Sequence, residues 1–169
     1  MAIERPTKII VCDASPLIFL AKLNRLDWVE QVTGARAVVL RCVVREILSD
    51  QATPLEAQRL RDWLTAVEVV DYDGDLVESQ ALSLSDRTNL AWAFQRKAEW
   101  FLVDERLLRR FAKERGIRVI GFCGLLLRAV DLGISGKAEA QSLIDTAIRE
   151  HGFRISIELY QAIRRRLER

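Results

Sequence analysis

Four short runs rich in β-branched and aromatic residues, "KIIVCDA", "ARAVVL", "EWFLVDE" and "IRVIG", recur along the chain with helical patterns between them. This alternation constrains the fold more than any other feature. Strands joined through helices, without Asn-Gly hairpin signals, pair in parallel and need both faces covered. The expectation is an α/β protein, a three-layer α/β/α sandwich around a mainly parallel central sheet. Strand order is left to the tertiary structure.

The segment "PLIFLAKLNRLDWVEQV" reads as an amphipathic helix with Pro16 at its first position and Gly34 at its end. "RCVVREILSD" is a helix carrying Glu46, and Pro54 opens another in "PLEAQRLRDWLTAV". "VEVVDY" supplies a short edge strand. Helical segments are expected from about Gly74 to Leu82 and from Ser85 to Lys97, then in "RLLRRFAKERG" and "FCGLLLRAVDLG". Two closing helices form a C-terminal extension, about residues 136–169. They are expected to pack on a single domain spanning residues 1–169.

A chain of 169 residues can bury a substantial core. Half of it is hydrophobic and 30% is charged, the balance of a soluble globular protein. The net charge of +2 does not announce a polyanion binder, so any electrostatic footprint must be local. "MAIERPTKII" lacks a signal peptide's apolar segment, and "VIGFCGLLL" is too short to span a membrane. Cys12, Cys42 and Cys123 are odd in number and set in apolar runs, as buried thiols rather than disulfides or zinc ligands. The expected compartment is the cytoplasm, with no membrane contact. The single histidine, His151, sits beside Gly152 at a helix end, favourably against the dipole. That disfavours nucleophile–histidine triads and two-histidine nucleases.

The acids are placed more tellingly. In an open parallel sheet, ligands bind outside the carboxyl ends of the strands at a switch point. Asp13 ends the first strand and Asp104 ends "WFLVD". Glu46 lies about one and a half turns into the helix after the second strand. Asp86 opens "SDRTNLAWAF", and Glu105 follows Asp104. Plainer readings stand beside these: Asp104 as an N-cap, Asp86 as a helix-dipole partner and Glu46 as a solvated residue. Asp13 resists the cap reading, because Ser15 before Pro16 is the better N-cap. Ser15 could also orient Asp13 from behind.

If Asp13, Glu46, Asp86 and Asp104 gather, like charges ~4 Å apart repel by roughly 4 kcal/mol per pair at an effective dielectric near 20. Protons, basic neighbours or a hard cation must offset this. An all-oxygen set suits Mg2+ or Mn2+. Such an ion polarises phosphoryl oxygens and activates water, so metal-assisted phosphodiester hydrolysis is the natural chemistry.

"VCDASPLIFLAKLNRLDWV", then "VVREIL", then "LSLSDRTNLAWAFQRKAEWFLVDERLLRRFAKERGIRVIGFCGLLLRAVDLG" resembles the PIN-domain nucleases. The resemblance extends to the "GFRISIELYQAI" ending. It is most like the VapC-like branch, whose first motif reads Asp-Ala-Ser-Pro-Leu-Ile. The resemblance implies a metal-dependent ribonuclease with its acids at the sheet edge, and matches Asp13, Glu46 and Asp104 to three of them. Asp86 falls where this branch has Gly-Glu. Here the pair is Ser85-Asp86, a departure that bears on catalytic strength and on whether Asp86 binds metal through water. Members of this branch are often toxins held inactive by an antitoxin, and often dimers. The resemblance therefore implies RNA as substrate, an antitoxin and a second copy as partners.

Arg106, Arg109, Arg110 and Lys113 recur at spacings of three and four after Asp104, and Arg41 and Arg45 flank Glu46. They could grip phosphates or form a solvated face. "IRRRLER" reads as the wet face of a last helix. Trp28, Trp63, Trp92 and Trp100 read as core or interface. Two other functions remain: a catalytically weak or inactive RNA- or protein-binding module on the same fold, and an acidic-pocket phosphotransfer domain. The phosphatase form of the latter wants a second Asp where Ser15 stands. The receiver form wants paired acids where "IIVCDA" has one.

Overall fold

The computed structural model describes residues 7–169. Its sheet is built from β1 (Ile9–Cys12), β2 (Arg36–Leu40), β3 (Glu68–Val70), β4 (Trp100–Leu102) and β5 (Arg118–Ile120). The order is β3-β2-β1-β4-β5 and every pairing is parallel. The chain winds outward from β1 to β2 and β3, then returns to place β4 on the other side. The switch point therefore lies between β1 and β4, where Ile10 pairs with Trp100 and Cys12 with Leu102. The central strands are the most apolar: all of β4 and all of β1 but Ile9 are buried. The edge strands β3 and β5 are partly exposed and begin with charges.

The helices are α1 (Ala14–Lys22), α2 (Trp28–Thr33), α3 (Arg41–Ile47), α4 (Pro54–Leu64), α5 (Leu84–Gln95), α6 (Arg106–Glu114), α7 (Phe122–Asp131), α8 (Lys137–His151) and α9 (Ile157–Glu168). Flanking the sheet, they complete the three-layer α/β/α fold. α1 packs with α3, α4, α7 and α8, whereas α5 packs with α6. α9 packs on α8. Phe153, between these last two, meets Phe19 of α1 and Phe122 of α7 at centroid separations of 5.0 and 4.9 Å. Those two rings lie 5.8 Å apart. Such offset and edge-on contacts suit the ring quadrupoles.

Local chemistry changes the expected elements in three places. The long first helix is broken, because Asn24 adopts φ 55° and ends α1. Arg25 N–H bonds to Leu20 O and Asn24 N–H to Ala21 O, the pairing that closes a helix on a left-handed residue. Helix α1 starts at Ala14 with Asp13 in the cap position, so Ser15 is not the cap and Pro16 is the third helical residue. Proline is tolerated there because a first-turn N–H has no helical partner. Finally, residues 74–82 are not helical. The Ser79 hydroxyl accepts the Ala81 N–H at 3.2 Å, and the Val77 carbonyl accepts Arg87 Nε at 2.7 Å. Local serine bonding competes with helix formation.

Trp28, Trp92 and Trp100 are buried, and Trp63 packs partly buried against the core. The cysteines are free thiols: Cys12 is buried and the other two are half-buried. Burial pushes Cys123 up to about 12 and Cys12 higher still, so neither is a ready nucleophile. Among the described residues no helix is long and apolar enough to cross a membrane.

Candidate active site

Parallel pairing carries Asp13 and Asp104 past the ends of adjacent strands. The Asp13 N–H continues the ladder by bonding to Leu102 O at 2.9 Å. Its carboxyl is only 8% exposed and makes no side-chain cap bond. Burial pushes its pKa up to about 7, against the pull of the Ala14 N–H. The charges of Asp86, Glu46 and Asp104 add to the rise. Glu46, Asp86 and Asp104 therefore lie near enough to Asp13 for their charges to be felt there. The coupling appears at Asp13, the most deeply placed of the four.

Proximity stops short of a finished cage. Among the described residues no three Asp, Glu, Cys or His side chains stand together in a group able to hold a metal ion. Two expected members stand apart from such a group. Asp86 sits in a capping box with Ser83, accepting the Ser83 N–H at 3.2 Å while its own N–H bonds to Ser83 Oγ at 3.1 Å. Glu46 is exposed and borders a cavity between α1, α3 and α4. Direct ligation by either would require its side chain to reorient.

Asp104 is tied to α7 rather than to α6. It does not cap the helix that follows. Glu105 does, accepting Leu107 and Leu108 N–H at 3.0 and 2.6 Å. This removes Glu105 from the site, because both its oxygens serve α6. Asp104 instead reaches across the sheet edge to the start of α7, where Oδ1 accepts the Phe122 N–H at 2.8 Å. The other oxygen, Oδ2, is buried with no partner. Burial raises the Asp104 pKa, while the Phe122 N–H and the Arg109 guanidinium pull it down.

Arg109 belongs to this arrangement rather than to a surface grip. Its Nη1 donates to Val103 O at 2.9 Å, beside Asp104. Gly121 lets the two side chains in, since a Cβ there would stand 2.5 Å from Asp104 Oδ1 and 2.8 Å from Arg109 Nη1. The aromatic trio fixes Phe122 from its ring side while its N–H holds Asp104. Two other expected phosphate-gripping residues already have partners: Arg41 pairs with Asp71 at 3.6 Å and Arg110 with Glu114 at 3.2 Å. Arg45 and Arg106 are exposed. Ser15 is half-buried beside Asp13 in the first turn of α1.

Asn89 was missed by sequence reading. It is wholly buried on α5, three residues beyond Asp86, and its Nδ2 donates to Cys12 O at 3.4 Å. Its Oδ1 has no partner. The available signal was an amide inside an otherwise apolar helical stretch, "NLAWAF". Asn89 ties the helix of Asp86 to the strand of Asp13. The rim thus concentrates unsatisfied buried oxygens where a fold built only for stability would have few.

Solved structures offer distant likenesses. One is a PilT N-terminus domain protein from the hyperthermophilic archaeon Sulfolobus solfataricus P2, 16% identical, with a TM-score of 0.49 over 69% of this chain and 89% of that one. Another is a domain of a functionally unknown protein from Methanocaldococcus jannaschii DSM 2661, 14% identical, with a TM-score of 0.47 over 68% and 91%. No curated protein matches the sequence. The family model described as PIN domain (DUF3368) matches residues 9–169, nearly the whole chain. With its parallel sheet and its acids at the switch point, this chain belongs to the PIN-domain family.

Proposed function

We propose that this chain is an endoribonuclease that hydrolyses RNA phosphodiester bonds with Mg2+ or Mn2+. The observation that carries the reading is the pair Asp13 and Asp104 at the switch point. One is desolvated, and the other keeps a buried oxygen without a partner. Perturbed carboxylates in such a place suit chemistry better than structure. Family membership supports a nuclease, and the all-oxygen donor set suits a hard cation.

Asp13 and Asp104 would hold the ion, with Glu46 and Asp86 contributing their field or an intervening water. When bound, the ion supplies Lewis-acid polarisation of a phosphoryl oxygen and a more acidic water. The protein's own part is positioning. Helix α7 and Arg109 fix Asp104, and Asn89 joins α5 to β1. Arg41 and Arg45 line a cleft of about 770 Å3 with Asp71, Tyr72, Asp73 and Ser85, the last being the residue before Asp86. With Arg41 paired to Asp71, Arg45 is, among the described residues, the cleft's free cation for a phosphate. Arg45 and Arg106 are the side chains best placed to meet phosphates. An inactive binding module is less favoured, because nothing in that role would maintain the desolvated, unpaired acids.

Following its VapC-like resemblance, we read the protein as the toxin of a toxin–antitoxin pair, acting in the cytoplasm and restrained by an antitoxin. Exposed Leu132, Ile157 and Leu159 supply apolar surface for a second copy. The test is cleavage of a mixed RNA pool by purified protein. Cleavage should need Mg2+ or Mn2+, stop with chelator and fail in Asp104→Asn. Metal-independent cleavage, or none at millimolar metal, would reject the reading.

A further inference from the structure

A second cavity borders Glu46 and shares no lining residue with the cleft of Arg41 and Arg45. Its volume is about 350 Å3, inside the range of about 300–1,000 Å3 for small-ligand pockets. Ile18, Phe19 and Leu60 supply apolar wall. The α3–α4 loop adds Ser49 and Gln51. Hydrogen bonds in that loop come from its backbone, Ser49 N–H to Glu46 O at 3.3 Å and Ala52 N–H to Ser49 O at 3.1 Å. The Ser49 hydroxyl and the Gln51 amide are thus left to meet a ligand.

The charges choose among ligands. Lys22 in the wall is bound to Glu56 at 2.9 Å, and the wall's other basic group is the imidazole of His151. The wall's fixed charges are the two carboxylates of Glu46 and Glu56 against the one ammonium of Lys22, a balance that disfavours phosphate. What remains is a neutral group with apolar faces and a hydrogen-bonding edge. Phe19 lies six residues along α1 from Asp13, about 9 Å at ~1.5 Å per residue. A group seated there is a near neighbour of anything held at the acids.

We propose that this cavity is a nucleobase pocket, taking the base of a nucleotide that flanks the phosphate at the acid rim. The inference rests on the nuclease reading and adds a source of sequence preference to it. Single-stranded RNA is recognised through base faces and edges, which such walls match. The Glu46 carboxylate is an acceptor, and Gln51 and Ser49 both donate and accept. This set favours a base with an exocyclic amino group over uracil.

The test is nuclear magnetic resonance of the isotope-labelled full chain without metal, titrated with adenosine, cytidine, uridine or inorganic phosphate. Saturable shifts are expected at the Gln51 side-chain amide and the Ala52 N–H, smallest for uridine and absent for phosphate. Gln51→Leu, on an exposed loop, should weaken nucleoside binding by up to about tenfold. Failure of these resonances to respond to any nucleoside, a response to phosphate alone, or equal affinity in Gln51→Leu would overturn the pocket. A second arm compares cleavage of RNAs differing at one base beside the cut, where Gln51→Leu should erase the preference. Asp104-dependent cleavage without nucleoside shifts would reject the pocket and keep the nuclease. Nucleoside shifts in a protein that never cuts RNA would do the reverse.

Discussion

Asp13 and Glu56 are carboxylates of nearly equal surface exposure, 8% and 9%. Glu56 is fully engaged: Lys22 donates to one oxygen at 2.9 Å and the Thr53 N–H to the other at 3.2 Å. Against the cost of burial, these bonds lower its pKa. Asp13 has no such partner, and burial among like charges takes it to about 7. Similar surface exposure thus accompanies opposite shifts, because Asp13 is set deeper in the protein and lacks the cation that Glu56 has. The paired acid steadies α4, whereas the unpaired one lowers stability at neutral pH, a cost that the proposed cation would relieve.

Removing the rim acids should have the largest effect. Asp13→Asn or Asp104→Asn should lower RNA cleavage at least about 1,000-fold, equivalent to about 4 kcal/mol. Folding by circular dichroism should be retained, and metal-free stability at pH 8 unchanged or raised. Comparable loss in Glu56→Gln would erase the distinction between the two carboxylates.

A pH series sharpens the contrast. Asp13 binds its proton more tightly in the folded protein, so its stabilising contribution is complete below about pH 4. It is lost as pH rises through about 7. Relative to Asp13→Asn, metal-free wild type should lose on the order of 4 kcal/mol between pH 4 and pH 8 in urea melts. Glu56 runs the other way: its contribution is present at neutral pH and fades as acid protonates it. Glu56→Gln should therefore flatten the acid limb.

Lys22→Ala should cost about 2–3 kcal/mol by denaturant midpoint, less than for a fully buried pair because both partners touch solvent. It should leave cleavage of a uniform RNA within a few-fold. The least disruptive change to the fold is Gly121→Ala, at about 1–2 kcal/mol through overpacking. Its added methyl displaces Asp104 and Arg109 together, so the rise in melting temperature with Mn2+ should shrink. A full Mn2+ response in this variant would mean that the Asp104 clamp does not shape the site.

Much of the architecture was legible because burial and helix ends act locally. The buried strands announced themselves by β-branched runs, and the parallel class followed from helices between them. Boundaries failed where a neighbour intervened, at Asn24, Ser79 and Asp13. Among the acids, chain position identified the strand-end residues. Position could not say that Glu105 caps a helix, that Arg109 faces inward or that Asn89 is buried beside Cys12.

The sequence by itself determined most of the elements, the α/β class and a set of acids at strand ends and in the helices nearby, since each depends on residues a few positions apart. Only the tertiary structure decided that β4 returns beside β1 and brings Asp104 to Asp13 across ninety residues. It alone showed that α7 and Gly121 hold one oxygen of Asp104 and leave the other unpaired. Pairing and desolvation are properties of neighbours in space, and a linear chain does not specify those neighbours until it has folded.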